Sequence, residues 1–462
     1  MKTNRVIKIF LASSEELEAD RYRFGNLIRK LDNIYEKRGI RIELFEWEDY
    51  DAAYNGMRKQ DEYNERVRAS DMFLALFHKK AGKFTIEEFN IARKAFDEQA
   101  SPKIYTYIKD LEAGESESRE LAEFKRLMLE ELGHYWCRYS NFDTMQLHFV
   151  LQLQMVETTT PIKVEVKESQ VKIGDSTIAD LNNVPFTSEN ATHRELQSRK
   201  EQLDREIGNA ESGGRRGFFG QRSRMTDEEL ANLREERESV TEQIERQEKA
   251  LVDTAMSIAR MQGGECSPRM RTAAELFEKG ETDKAEAVLK EDDMEADATN
   301  AKLKFDTAAQ PTAELARNIE RCAGEYMLKA RIVVSGIADE SRYRQAVKLM
   351  STAIDLVSGR LPEETLAEYL FDYAVLLADA GQQTKALETW ERLSGIYERL
   401  YRKAPQKYAY GYAGVLNNMA VLYSDKGDFD HCLSKYLKAI DIYDWLDREE
   451  PGIYDDDIAR LK

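Results

Sequence analysis

Glu88 is the residue of this 462-residue chain best placed to do chemistry. It lies in the run Lys83-Phe-Thr-Ile-Glu-Glu-Phe-Asn-Ile-Ala92, just after the apolar run Met72-Phe-Leu-Ala-Leu-Phe77, which is entered through Ser70-Asp71. That order predicts a buried parallel strand, a short loop and a helix. In doubly wound sheets ligands bind in the crevice beyond the carboxyl ends of the strands. The spacing therefore puts Glu88 in such a crevice, on the first turn of the helix. An ionised carboxylate there can stabilise developing positive charge or attack as a nucleophile. The same residues allow a plainer reading. Thr85-x-x-Glu88 has the form of a capping box, in which the Thr hydroxyl and the Glu carboxylate serve orphan amide donors. Spacing alone leaves both roles open. Glu87 is the rival carboxylate, about 100° around the helix and expected to face solvent.

Other residues join this site by position along the chain. Ser13 and Ser14 end the first predicted strand, where hydroxyls and loop amides can meet a phosphate or ribose, or simply cap the helix that follows. Trp47, beyond the second strand, suits stacking on a base and equally suits the core. Asn64 and Asp71 flank the third strand as further polar candidates. No GxGxxG or Walker A pattern occurs, so the usual dinucleotide and P-loop readings fail. Five histidines without HExxH, and Cys137, Cys266, Cys322 and Cys432 without CxxC spacing, point to no metal site and no disulfide framework.

These residues need an α/β frame. Val6–Ala12, Ile40–Phe45, Met72–Phe77, Lys103–Ile108 and His134–Tyr139 read as strands. Helical patterns at Glu15–Lys37, Gln60–Arg68, the Glu88 segment, Leu121–Leu132 and Asp143–Val156 alternate with them. The expectation is a flavodoxin-like, five-stranded parallel sheet covered on both faces, over residues 1–156.

Residues 157–190 change texture, with period-2 runs at Lys163–Lys167 and Gln170–Gly174 that predict a β-containing linker or hairpin. Residues 191–263 read as a helical hairpin or coiled coil. Its arms, Thr192–Ile207 and Thr226–Met261, flank the Gly- and Arg-rich break Ser212–Arg224. Thr226-x-x-Glu229 is a second capping-box pattern. The break reads as a mobile, solvated loop or as a docking tip for an acidic partner or nucleic acid.

Residues 264–462 carry a repeat. Ala374-x-x-Leu377, Gly381, Ala386 and Trp390 recur as Ala420-x-x-Tyr423, Gly427, Cys432 and Tyr436. Looser copies lie at Gly280–Ala285 and Ala346–Ala353. The pattern resembles tetratricopeptide repeats, and its spacing predicts lengthened helices in an α-solenoid that binds protein partners. Asp455–Lys462 reads as a helix without a polar cap, so a cap or further repeats are expected after it.

Composition excludes several classes. A net charge of -18 opposes whole-chain attraction to nucleic acid or anionic membrane. No apolar run approaches the ~20 residues of a membrane span, and the first apolar stretch is strand-length, unlike a signal peptide. A cytoplasmic protein is expected.

The first domain resembles the TIR-like family of bacterial proteins that couple such a domain to tetratricopeptide repeats. The resemblance rests on Ile9-Phe-Leu-Ala-Ser-Ser14, Glu46-Trp47-Glu48, Asn64 to Asp71 and Thr85-Ile-Glu-Glu88-Phe-Asn-Ile-Ala92, and covers residues 5–156. Thr85-x-x-Glu88-x-x-x-Ala92 also resembles the segment holding the nucleophilic glutamate of nucleoside 2-deoxyribosyltransferases. These resemblances imply that Glu88 is catalytic, with Ser13, Ser14, Trp47, Asp71 and Thr85 around the substrate. They imply cleavage of NAD or another nucleotide, with NAD as substrate and no resident cofactor. They also imply self-association through the first domain and a role in antiviral defence. Two other expectations stand beside this one: a non-catalytic adaptor, and a deoxyribosyltransferase-like enzyme.

Overall fold

The computed structural model describes residues 5–37, 39–46, 59–131, 136–156, 164–211, 226–262, 266–336 and 339–449, with 454 and 458. The chain divides into two compact units. One is built on residues 1–150 and the other holds most of the remainder.

The first unit alternates strand and helix: β1 (Arg5–Ser13), α1 (Glu18–Glu36), β2 (Ile40–Phe45), α2 (Lys59–Arg68) and β3 (Met72–Phe77). It continues with α3 (Lys83–Gln99), β4 (Lys103–Lys109), α4 (Arg119–Arg126), β5 (Trp136–Tyr139) and α5 (Phe142–Val156). The five strands form one sheet in the order β2-β1-β3-β4-β5, every pairing parallel. This is the doubly wound arrangement, and its strand order reverses between β1 and β3. All six residues of β3 are buried, as a central strand covered on both faces must be. Phe10 stacks on Phe73 with ring centroids 5.9 Å apart, and Phe124 of α4 meets both Phe77 and Phe89. Gly39 takes a φ of 72° in closing α1, a conformation that suits a residue without Cβ.

The fourth helix is α-helical to Arg126 and continues as a π-helix over Leu127–Glu131, and Leu132 lies outside the described residues. The last strand is described from Trp136, and residues 132–135 lie outside the described residues.

The second unit contains the hairpin β6 (Val164–Lys167) and β7 (Gln170–Ile173), paired antiparallel, and the chain then forms β8 (Ser176–Asp180). Glu168 and Ser169 turn the hairpin with φ of 54° and 55°. After the single turn α6 (Pro185–Ser188) come the two long arms α7 (Ala191–Glu211) and α8 (Asp227–Gln262). They lie antiparallel, with Leu203, Val240 and Ile244 forming an apolar seam. Arg199–Glu236 (2.5 Å), Asp204–Arg237 (2.7 Å) and Glu211–Arg234 (2.6 Å) flank it. The break Ser212–Arg224 lies outside the described residues.

The remaining helices are α9 (Pro268–Glu278), α10 (Thr282–Val288), α11 (Glu291–Thr307), α12 (Ala313–Ser335) and α13 (Glu340–Val357). They end with α14 (Glu363–Asp379), α15 (Gln383–Lys403), α16 (Pro405–Asp425) and α17 (Phe429–Glu449). From α11 onward each packs on its neighbour, as a solenoid requires, whereas α10 packs on α9 and α12. The predicted small residues sit at the contacts: Ala346, Ala353, Ala374, Ala386 and Ala420 are all fully buried. Gly280, Gly381 and Gly427 each adopt a φ of 71° to 77° and close the same turn between paired helices. In all three, the Gly amide bonds a carbonyl three residues back, and the next amide bonds one five residues back. That is a Schellman-type stop, and it explains the recurrence of glycine. Helices α15, α16 and α17 each run 21 residues, which accounts for the long repeat spacing.

Candidate functional site

The predicted residues can be located one by one on the sheet. Ser13 is the last residue of β1 and stands opposite Leu76, near the carboxyl end of β3. Its Oγ accepts a hydrogen bond of 2.8 Å from Nη1 of Arg21, which also donates to the Ser14 carbonyl at 2.8 Å. Ser14 is 8% exposed, and its hydroxyl donates to Glu16 Oε1 at 3.2 Å. The same Glu16 oxygen accepts the Lys79 amide at 3.1 Å, so the loop after β1 is tied to the loop after β3.

A third loop joins them. Glu115, beyond β4, lies 2.5 Å from Lys79 Nζ, and its other oxygen is 3.2 Å from His78 Nε2, off the hydrogen-bond direction. Lys79, with the Glu112 amide next, holds the Glu115 carboxyl below the usual range, and Glu115 in turn raises the Lys79 ammonium. The Ser118 amide donates to the Lys79 carbonyl at 2.6 Å, and the Ser118 hydroxyl caps α4. The edge of the crevice is thus built from three loops cross-linked by side chains.

Helix α3 starts at this edge. Its first residue is Lys83, preceded by Gly82 in an extended conformation that makes no side-chain cap. Thr85 is therefore the third helical residue and Glu88 stands one turn further in. The Thr85-x-x-Glu88 pattern does not cap this helix. Both side chains lie on its buried face, with Phe89 and Ala92, and Glu88 is 8% exposed. Phe89 stacks edge-on against Phe124, which fixes the helix face that carries Glu88. Glu87 is only half-buried, and Asn64 of α2 donates to its Oε1 at 3.3 Å. The expectation of a solvent-facing Glu87 is corrected by that contact.

Asp71 lies elsewhere. It precedes β3, at the amino-terminal edge of the sheet. There its carboxylate accepts the Lys8 amide at 2.8 Å and its carbonyl accepts the Lys103 amide at 2.9 Å. The length of β3, about 20 Å at ~3.3 Å per residue, separates it from the crevice. Asp71 therefore aligns three strands and does not share an edge with Ser13, Ser14 and Thr85. Trp47 lies outside the described residues.

Arg21 and Asp20 are the residues that sequence reasoning passed over. Arg21 is 2% exposed and Asp20 is 4% exposed. Asp20 takes Lys109 Nζ at 2.9 Å and the Tyr139 hydroxyl at 3.0 Å, joining α1 to β4 and β5. Burial, aided by Asp20, pushes the Tyr139 hydroxyl far up, so it stays protonated and donating. A signal was available. Arg21 falls on the buried line Arg21, Phe24, Ile28, Leu31, Tyr35 of α1, where a charge needs a partner.

Among the described residues no helix is long and apolar enough to cross a membrane, and no His, Cys, Asp and Glu group is arranged to hold a metal ion. All four cysteines are free thiols. No family model and no curated protein matches this sequence. Among solved structures, the chain is similar to a Signal Transduction ATPase with Numerous Domains protein with a tetratricopeptide repeat sensor, from Pyrococcus horikoshii. The two are 12% identical with a TM-score of 0.24, over 98% of this chain and 82% of that one.

Proposed function

We propose that this protein is a TIR-like effector that cleaves NAD or a related nucleotide at its first domain, with Glu88 as the catalytic carboxylate. The observation that supports this reading is the position of Glu88. It is a largely buried carboxylate beyond the carboxyl end of the central strand, and it does not serve as the cap its sequence context suggested. In doubly wound sheets ligands bind beyond the carboxyl ends of the strands, the edge at which α3 begins.

In the proposed reaction the bond between the anomeric carbon and the nicotinamide nitrogen breaks. Its electron pair neutralises the pyridinium ring, so nicotinamide leaves without protonation. The ribose gains oxocarbenium character, which the Glu88 carboxylate stabilises or traps as an ester. Water then adds at the anomeric carbon, displacing the Glu88 carboxylate where the ester has formed, and loses one proton, giving ADP-ribose. Ser13 and Ser14, beside the topological switch point, serve the ribose or phosphates, and Arg21 holds Ser13 in place. Thr85 lines the same helix face. The α-solenoid binds a protein partner whose arrival packs the first domains together in the cytoplasm, consistent with a defence role.

The test is nicotinamide release from NAD by concentrated full-length protein, comparing Glu88→Gln with Glu87→Gln. Glu88→Gln is expected to lower turnover by about 10²-fold or more, the scale of a lost electrostatic contribution. Glu87→Gln, which keeps an oxygen for Asn64, is expected to retain activity. Activity that survives Glu88→Gln removes the catalytic assignment. No cleavage by protein shown to be assembled leaves the adaptor reading in its place.

A further inference from the structure

The second unit contains a cavity of about 420 Å³ enclosed by α8, α9, α12 and α14. Its floor is soft and apolar, made by Met261, Met270 and Met327 with the ring of Tyr369. Gly324 deepens it, because a Cβ at that position would stand 3.3 Å from Met270 Cε. The rim is different. Arg260, Arg317 and Arg321 all reach it from α8 and α12, and all three are exposed at their helix positions.

Three arginines at one mouth stand out in a chain with net charge -18. Arg260 donates to the Met256 sulfur at 3.6 Å and faces the charges of Glu368 and Asp253, but among the described residues neither it nor Arg321 forms a close ion pair with a carboxylate. On the opposite wall Asp372 is already neutralised by Arg331 at 2.7 Å. Glu320, between the two arginines of α12, and Glu368 of α14 supply hydrogen-bond acceptors for a ligand donor group. Guanidinium forks match planar or tetrahedral oxyanions, and thioethers mould to flat rings.

We propose that this cavity binds a small organic anion with a flat apolar body, its carboxylate or phosphate held by Arg260 and Arg321 and its ring laid on the methionine floor. At organic packing density the volume holds roughly 20 non-hydrogen atoms, the size of a nucleoside monophosphate or an aromatic acid. The site is separate from Glu88 and does not depend on the reading of the first domain. It makes the helical half a receptor for a small molecule as well as for protein partners.

Calorimetric titration of the full-length protein decides the matter, with two anionic probes and their neutral counterparts. Adenosine 5′-monophosphate is paired with adenosine, and indole-3-acetate with indole. At least one anion is expected to bind with a dissociation constant of about 10 to 100 µM, and its neutral partner at least tenfold more weakly. Binding of the nucleotide alone assigns the phosphate, and of indole-3-acetate alone the carboxylate. Arg260→Gln with Arg321→Gln, both on exposed helix positions, is expected to weaken binding about tenfold or more without moving the melting temperature. Gly324→Leu is expected to block binding by filling the floor. Failure of both anions to bind overturns the proposal, as does equal binding by the neutral probes or by the arginine double variant.

Discussion

Two Thr-x-x-Glu sequences in this chain show how far four residues determine a local structure. Thr226 and Glu229 form the reciprocal box: the Thr226 amide donates to Glu229 Oε2 at 2.7 Å, and the Glu229 amide donates to Thr226 Oγ1 at 3.2 Å. Thr85 and Glu88 do not, because α3 begins two residues earlier. At α8 the box and the acidic first turn Asp227–Glu229 mark the helix start, whereas at α3 the packing of Phe89 and Ala92 against the sheet accompanies a helix that begins before the motif. Thr226→Ala is accordingly expected to cost about 1 kcal/mol in the hairpin, whereas Thr85→Ala loses no cap. The comparison is read from chemical denaturation of each full-length variant. Arg21 acts on the same scale. Arg21→Met keeps the stem but leaves the Ser14 carbonyl and the Ser13 hydroxyl without their donor. A loss of about 2 kcal/mol is expected in the transition of the first unit, measured by urea unfolding. Proteolytic resistance and unfolding unchanged by Arg21→Met would mean that the guanidinium does not hold the β1 loop.

At the scale of elements, the inter-helix glycines separate two demands that look alike in sequence. Gly381 has a φ of 71° and open space around it, so Gly381→Ala meets only the left-handed cost of about 1 kcal/mol. Gly280 has a φ of 77° and also backbone in the way: an added Cβ would stand 2.7 Å from the Pro185 carbonyl oxygen. Gly280→Ala is expected to cost several kcal/mol, because backbone yields less readily than a side-chain tip. Thermal melts of the two variants rank them, and a larger effect at Gly381 would contradict the packing described at α9. The hairpin adds a pH dependence. Arg237, then Lys200, holds the Asp204 carboxyl below its ordinary value. A depressed folded pKa contributes stability above the unfolded value of about 3.9 that is lost as pH falls through the folded one. The difference in melting temperature between the parent chain and Asp204→Asn is therefore expected near neutral pH and to vanish as pH falls through the depressed folded value. A difference that persists there would assign it to packing instead of charge.

At the scale of the whole molecule, net charge sets the partners the surface admits. No binding to a 30-base-pair duplex is expected at about 0.15 M salt, and a steep salt-dependent shift in an electrophoretic assay would overturn that. Length, charge and periodicity were enough to establish the order of architectures: an α/β domain with a parallel sheet, then a helical hairpin, then stacked helix pairs. These follow from local rules, since periods of 2 and 3.6 and an inter-helix glycine are written in neighbouring residues. The sequence also marked Ser13, Ser14, Thr85 and Glu88 at one edge of the sheet, because position relative to a strand end is a local property. What it could not decide was which polar residues are brought together over long chain separations. Asp71 looked like a site residue and proved to align strands, since strand direction puts it at the other edge. Arg21, Glu16 and Glu115 carry no local signal that joins them, and the fold assembles them around the loops of the crevice. The cavity beneath Arg260 and Arg321 joins helices whose lining residues span Ser257 to Asp372. Such groupings are decided by tertiary packing, which chooses the face each helix buries and so the charges that must find partners.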